Sequence, residues 1–323
     1  MKLHRGSVTL FLLTFLLPLC IPLFAADKKL QEQVNVDLIN VYLTATDKKG
    51  NFIDDLKPEE LLIKEDGKQQ EITNFSKITS EDSTISLTVA FLIDTSGSME
   101  AHFPVASRAA NTVLQQLRPQ DRMQLFAFDQ TLRQLTPFTT NEPEVEQALA
   151  QLKAQNAATA IYDSTCEAAE KIRDQQGRQI IVLITDGEDN KSLKSSDETA
   201  RLLNSMNITV LAIGLWSWRP AFGGFGMGGN DSPRRGDLNF IAENTGGYVF
   251  FPESATQADE MLNKLRSAIT NQYFLAYRTP TISKNETRKI EISCKRKGVK
   301  LRYRRSYSAA PEEPETETPP SGG

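Results

Sequence analysis

Hydrophobic residues in the middle of the chain form short continuous runs, and amphipathic segments separate these runs. The runs predict buried strands at Leu87–Ile93, Met123–Phe128, Gln179–Thr185, Ile208–Gly214 and Tyr248–Phe251. The other segments have helical spacing, at Pro104–Leu117, Pro143–Leu152, Ile161–Gln175, Ser196–Met206, Leu238–Asn244 and Ala255–Thr270. Apolar strands joined by helices are covered on both faces, so the pattern predicts an α/β domain with a mainly parallel central sheet at residues 86–272.

The two flanks of this domain alternate apolar and polar positions instead, which is typical of strands with one solvated face. A change of phase at Leu38-Ile39 predicts a bulge in the first strand. Leu61–Glu65 and Ile72–Phe75 lie on either side of Asp66-Gly67 and predict a hairpin. Ile290–Tyr303 alternates in the same way, with a turn predicted at its centre.

Neither flank has enough strands to make a sheet that is stable alone, because an isolated hairpin is marginal in water. We therefore expect residues 30–80 and 273–308 to pair into one small β-sandwich-like domain that the central domain interrupts. Strand alternation places the basic residues of the second flank, Lys295 to Arg305, mostly on a solvated face.

The N-terminal residues 1–26 have the order of a secretory signal. Lys2, His4 and Arg5 precede an apolar run that ends at Ala25-Ala26. We expect an exported protein, either periplasmic or secreted. The bulky residues before the cleavage site leave an uncleaved membrane anchor as the alternative, and only then would the membrane be a partner. The tail at 309–323 is rich in Pro, Glu and Thr and is expected to be disordered.

Composition excludes some functions. The 323 residues carry a net charge of −4, which gives no reason to expect nucleic-acid binding. Cys166 and Cys294 are expected to be free, buried thiols, and His102 is alone after the signal, so no zinc site is indicated. Trp216 to Gly229 mixes aromatics with glycines, and either orders on a partner or is a disordered excursion. Asp237, in an Arg-Gly-Asp sequence, is expected to cap the helix at Leu238.

Three polar segments follow predicted strands or precede a predicted helix. Asp94-Thr95-Ser96-Gly97-Ser98 ends one strand, Thr159 precedes the helix at Ile161, and Asp186 ends another strand. Each segment alone could be a helix cap or a turn. Short oxygen ligands that leave a coordination position open suit Mg²⁺, so together the segments favour a metal site. Asp163, Glu188 and Asp189 are interpreted as helix-start groups or groups that support the site.

Together these segments resemble the von Willebrand factor A (VWA) domain and its metal-ion-dependent adhesion site. The resemblance implies a Rossmann-like fold in which Asp94, Ser96, Ser98, Thr159 and Asp186 hold one Mg²⁺, with Mn²⁺ or Ca²⁺ as alternatives. It also implies a protein partner whose Asp or Glu carboxylate completes the coordination shell. The layout of signal, flanks and central domain is similar to that of bacterial secreted VWA-related proteins.

We therefore expect an exported, adhesion-type binding module without enzymatic activity. Two alternatives stay open: a metal-dependent hydrolase, and a structural envelope protein that the ion stabilises. Against the hydrolase, the sequence shows no histidine base, no second metal-binding carboxylate cluster and no phosphate-binding Gly-Lys-Ser/Thr loop.

Overall fold

The computed structural model describes residues 36–78, 85–155, 157–215, 233–281, 283 and 286–308. Its strands are β1 (Val36–Thr46), β2 (Leu61–Glu65), β3 (Lys68–Gln70), β4 (Ile72–Ile78), β5 (Leu87–Asp94), β6 (Arg122–Phe128), β7 (Leu132–Gln134), β8 (Arg178–Thr185), β9 (Ile208–Gly214), β10 (Tyr248–Phe250), β11 (Gln272–Pro280), β12 (Thr287–Cys294), β13 (Lys300–Tyr303) and β14 (Ser306–Ser308). Its α-helices are α1 (Phe103–Leu114), α2 (Glu142–Ala150), α3 (Ile161–Ile172), α4 (Ser196–Ser205), α5 (Pro233–Asn244) and α6 (Ala255–Thr270).

The central domain is a six-stranded sheet in the order β10-β9-β8-β5-β6-β7, and only β7 runs antiparallel to its neighbour. Every residue of β5, β8 and β9 is buried. Helices cover both faces, and each face has its own apolar core. The predicted α/β fold with a mainly parallel sheet is confirmed. The short strand β7 was not predicted, because three half-polar residues carry no clear periodicity.

The two flanks form two antiparallel four-stranded sheets, in the orders β13-β1-β11-β4 and β14-β12-β2-β3. Each sheet combines strands from before and after the central domain. In the first sheet β1 pairs with β11 from Val36↔Pro280 to Leu43↔Tyr273, and in the second β2 pairs with β12. A third apolar core, which includes Val41, Leu275 and Tyr277, fills the space between the sheets. The prediction that the flanks pair with each other is therefore confirmed.

The bulge predicted in β1 is wrong, because the register of β1 with β11 is continuous. The apolar pattern changes phase because Val36 and Leu38 lie on an exposed face of the strand, where they are 58% and 52% exposed. Thr44, on the same face, lies 2.8 Å from the hydroxyl of Tyr248 in the central domain. That face thus meets the central domain at one end of β1 and solvent at the other.

Two predicted strand pairings, that of β2 with β4 and that of β12 with β13, are also wrong. Asp66 and Gly67 form a turn with φ of 47° and 78°, but it joins β2 to the short strand β3. The following strand β4 crosses into the other sheet and pairs with β11. Strands β12 and β13 likewise lie in different sheets, where β12 pairs with β2 and β13 pairs with β1. Alternation predicts that a segment is a strand, but the packing of the two sheets decides its partner.

The predicted solvated face of the basic segment is wrong at Arg302 and Arg304. Arg304 is 8% exposed, and its guanidinium donates to the carbonyl oxygens of Asn40 and Asn204. Arg302 lies 4.5 Å from the ring centroid of Tyr248 and donates to a backbone carbonyl of the central domain. These arginines join the flanking sheets to the central domain.

Cys166 is buried, Cys294 is half-buried, and both are free. The predictions for the N-terminal signal, the loop at 216–229 and the tail at 309–323 fall outside the described residues. Among the described helices, none has the length and apolar character needed to cross a membrane.

Candidate metal centre

The candidate site lies at the carboxyl ends of β5 and β8. These strands are parallel neighbours, paired up to Ile93↔Ile184, so their ends reach the same edge of the sheet. Asp94 ends β5, and Asp186 comes directly after β8. Open α/β sheets bind ligands at this edge, because the loops that follow adjacent strands converge there.

Both oxygens of the Asp94 carboxylate are oriented by neighbouring groups. Oδ1 accepts a hydrogen bond from the Ser96 backbone N–H at 2.8 Å, and Oδ2 accepts one from the Thr185 hydroxyl at 2.6 Å. The Thr185 hydroxyl also accepts from the Gly187 N–H at 3.0 Å. Thr185 thus links Asp94 to the loop of Asp186, a role that sequence reasoning missed. The signal was a hydroxyl residue directly before Asp186.

The two serines connect the two loops. The Ser98 hydroxyl donates to the Asp186 carboxylate, and the hydroxyl oxygens of Ser96 and Ser98 lie 3.3 Å apart. Ser96 precedes a 3₁₀ helix at Gly97–His102, but its side chain does not cap this helix. The structure therefore brings together four of the five predicted residues, with Ser98 on the exposed side.

Thr159 lies on a neighbouring loop and is 3% exposed. Its backbone N–H donates to Asn190 Oδ1 at 2.9 Å, and its carbonyl accepts from the Asn190 N–H at 3.0 Å. Asn190 follows Asp186 in the same loop, so these bonds join the Thr159 loop to the Asp186 loop. Among the described residues, the Thr159 hydroxyl has no hydrogen bond to the other four predicted residues. Sequence reasoning also missed Asn190, for which only its position in an acidic loop was a signal.

The acidic residues near the site support the helix that follows Thr159. The Ser192 hydroxyl accepts from the N–H groups of Tyr162 and Asp163 at 3.0 and 3.1 Å, and it donates to the Asp189 carboxylate. Asp163 and Asp189 therefore belong to the start of α3, as predicted. Asp237 does not cap a helix at Leu238, because α5 already begins at Pro233. Its carboxylate accepts instead from the hydroxyls of Tyr162 and Ser196.

The electrostatics of the site favour a bound cation. Asp94 is fully buried, and its burial, together with the charge of Asp186, raises its pKa to about 6. Within the described part of the chain, neither Asp94 nor Asp186 takes part in an ion pair. His102 is buried, its Nδ1 has no hydrogen-bond partner, and burial lowers its pKa.

The predicted donor set would suit a hard divalent cation. It consists of two carboxylates and three hydroxyls, all oxygen ligands, which suit Mg²⁺ better than a transition metal. The described residues contain no group of three or more His, Cys, Asp or Glu side chains that could hold a metal. A metal here therefore depends on the hydroxyl oxygens as well as the carboxylates.

The profile of the von Willebrand factor type A domain matches residues 88–264. The chain belongs to this family. The matched residues include the six strands of the central sheet, except the first residue of β5, and the carboxyl-end loops described above. No curated protein is significantly similar to the chain.

Several solved structures are similar to the chain. One is the proximal thread matrix protein 1 from the mussel byssus with a zinc-occupied MIDAS motif (16% identity, TM-score 0.45, covering 64% of this chain and 49% of that chain). Another is a von Willebrand factor type A protein from Catenulispora acidiphila (13%, TM-score 0.47, 78% and 76%). A third is the VWA domain of the pilus tip protein Mfa5 from Porphyromonas gingivalis (12%, TM-score 0.41, 57% and 96%). The chain spans about half the length of the mussel protein.

Proposed function

We propose that this protein is an exported, metal-dependent protein-binding module of the adhesion type. Asp94, Ser96, Ser98, Thr159 and Asp186 would hold one Mg²⁺, and Mn²⁺ or Ca²⁺ could replace it. An Asp or Glu carboxylate of a protein partner would complete the coordination shell. The periplasm or the cell exterior is the proposed location, from the N-terminal signal.

The observation that carries this proposal is the pair of carboxylates Asp94 and Asp186. Ser98 joins to Asp186 by a hydrogen bond, while no cationic side chain among the described residues pairs with either carboxylate. A buried charge without a partner is strongly unfavourable, and a divalent cation removes that penalty. When bound, the metal supplies a Lewis acid that can accept one further oxygen ligand.

The chain's own residues supply the geometry. Thr185 and the Ser96 N–H fix the orientation of Asp94, and Asn190 fixes the backbone of Thr159. These groups would hold the loops in place before a partner arrives. Ser98 lies on the exposed side, which leaves a path for the partner's carboxylate.

Calorimetric titration with Mg²⁺ tests the proposal. We compare the wild-type protein with Asp94→Ala and with Asp174→Ala, a control at a carboxylate that is 84% exposed. The wild type and the control should bind Mg²⁺, and Asp94→Ala should not. At about 100 times its Kd, Mg²⁺ should raise the free energy of unfolding by about 2.7 kcal/mol in the proteins that bind it.

Partner capture separates an adhesive ion from a structural one. Capture from the exported fraction should occur in Mg²⁺, fail in EDTA and fail with Asp94→Ala. Absence of Mg²⁺ binding by the wild type would overturn the proposal. Mg²⁺-dependent stability, together with capture that survives both EDTA and Asp94→Ala, would indicate a structural ion.

A further inference from the structure

One exposed hydrophobic side chain lies in the loop that carries Asp186. Among the described residues, four large hydrophobic side chains are exposed, namely Val36, Leu38, Leu193 and Phe240. Leu193 is the most exposed of them, at 94%, and it alone lies between β8 and α4. A single exposed leucine is ordinary on a protein surface, so its setting decides whether it has a role.

The backbone around Leu193 is held firmly. The Asp163 carboxylate accepts from the N–H groups of Leu193 and Lys194 at 2.8 and 3.2 Å. The preceding residue, Ser192, accepts from the first turn of α3 and donates to Asp189 at 2.6 Å. These bonds fix residues 192–194 against α3, while the leucine side chain extends into solvent.

The same segment is connected to the candidate metal centre. The Thr159 carbonyl accepts from the N–H groups of Asn190 and Lys191, at 3.0 and 3.1 Å. Helix α3, which holds Leu193 through Asp163, begins two residues after Thr159. Leu193 therefore belongs to the loop assembly that would surround the metal.

A bound metal would make the charge near Leu193 favour an acidic partner. Lys191 and Lys194 flank Leu193 and are exposed, although Lys194 Nζ lies 3.5 Å from the Asp163 carboxylate. The same loop carries more acidic than basic side chains, since the two lysines stand against Asp186, Glu188 and Asp189. A metal ion in the site would add positive charge, and complementary charge steers association.

We propose that Leu193 is the apolar anchor of the partner-binding face. It would pack against an aliphatic side chain of a protein partner while a neighbouring acidic residue of that partner reaches the metal. This inference rests on the proposed function and adds to it a partner sequence class, an acidic residue next to an aliphatic one. Because the loop is already ordered, packing on Leu193 costs little conformational entropy.

Peptide selection tests the anchor. A phage-displayed library of random peptides is bound to the immobilised full chain in Mg²⁺ and eluted with EDTA. The enriched peptides should carry Asp or Glu beside Leu, Ile or Val. Binding of the most enriched peptide is then measured with the wild type, with Leu193→Ser and with Leu38→Ser, a matched control on the exposed end of β1.

Leu193→Ser should weaken peptide binding by about tenfold, which corresponds to about 1.4 kcal/mol. Its Mg²⁺ affinity should equal that of the wild type, and Leu38→Ser should bind the peptide as the wild type does. Both variants change exposed side chains, so their melting temperatures should be unchanged.

Three results would overturn the anchor: equal peptide binding by Leu193→Ser and the wild type, an equal loss in Leu38→Ser, or EDTA-eluted peptides without aliphatic residues. Sedimentation gives a fourth such result. If the wild type self-associates and Leu193→Ser does not, a second copy of the chain, and not another protein, packs on Leu193. Failure of the wild type to bind Mg²⁺ would instead overturn the proposed function itself, and the anchor with it.

Discussion

The fold buries two carboxylates in different surroundings. Glu65 lies between the flanking sheets and has a cationic partner, whereas Asp94 lies in the candidate metal centre and has none among the described residues. Glu65 is 4% exposed and accepts hydrogen bonds from Tyr277 at 2.8 Å and Tyr307 at 2.7 Å. Thr279 also donates to it, and Arg288 forms an ion pair with it at 2.8 Å. Its charge is thus neutralised inside the protein.

Asp94 is equally buried, but hydroxyl and backbone N–H groups are its hydrogen-bond donors, and Asp186 is its charged neighbour. Burial raises the pKa of Asp94 to about 6. At Glu65, burial alone would raise the pKa, but the hydrogen bonds from Thr279 and the other donors outweigh it and lower the pKa. Glu65 is neutralised internally, whereas Asp94 has no cationic partner among the described residues, as expected if it binds an external cation.

The largest expected effect comes from breaking the internally neutralised pair. Glu65→Ala should reduce the free energy of unfolding by about 2–4 kcal/mol, because the buried hydroxyls of Tyr277 and Tyr307 lose their acceptor. Arg288 would keep its ion pair with Glu286. Urea unfolding measures this loss. Glu291→Ala is the control, since Glu291 pairs with Lys289 on the surface of the same sheet and should cost about 1 kcal/mol or less. Equal losses in the two variants would show that Glu65 has no special role.

The effect of Asp94 on stability should depend on pH. Because the pKa of Asp94 is raised, its charged form lowers the stability of the folded protein in EDTA at pH values above about 6. This loss of stability decreases as the pH falls from about 6 toward 3.8. A pKa raised from 3.8 to about 6 corresponds to about 3 kcal/mol of lost folding stability at neutral pH. The side chain of Asn in Asp94→Asn does not titrate. The free energy of unfolding of this variant should therefore exceed that of the wild type at about pH 7.5, and the excess should be about 1 kcal/mol smaller at about pH 5.

Glu65 behaves differently over the same range. Its pKa is lowered, so its contribution to stability is present above the unfolded pKa of about 4.5 and is lost only as the pH falls through the folded pKa. Urea unfolding at the two pH values measures the stability of Asp94→Asn and of Glu65→Ala. An unchanged difference between Asp94→Asn and the wild type would mean that Asp94 is not the perturbed group.

The smallest expected effect concerns the loop contact of Thr159. Asn190→Ala removes the acceptor for the Thr159 N–H and should weaken Mg²⁺ binding by about threefold, about 0.7 kcal/mol. Asn190→Asp keeps an acceptor oxygen at this position and should bind Mg²⁺ at least as well as the wild type. Calorimetric titration measures both affinities. Normal Mg²⁺ affinity in Asn190→Ala would show that the loop holds its position without this side chain.

Much of the central domain could be predicted from the sequence. The apolar run at Leu87–Ile93 became β5, and the predicted helix Ala255–Thr270 has the bounds of α6. Long, strongly periodic segments carry their own signal, because burial on both faces selects the residue type at each position. The three candidate loops were found for a related reason, since they follow or precede such segments.

The flanks were harder to predict. Alternation identified β2 and β12 as strands, but their pairing with each other joins residues far apart in the sequence. Val36 and Leu38 suggested a bulge because apolar side chains on an exposed face cannot be told from buried ones by pattern alone. Arg304 was placed in solvent by the same reasoning, although the central domain covers it.

Residue type and local spacing were enough to predict the α/β architecture and the oxygen-rich residues at the strand ends, because burial and ligand chemistry depend on them. The fold was needed to show that Thr185 orients Asp94 and that Asn190 holds Thr159. It was also needed to show that Glu65 is neutralised while Asp94 is not. Hydrogen bonds and ion pairs form between groups that the fold brings together from distant positions. Spacing along the chain does not encode those contacts.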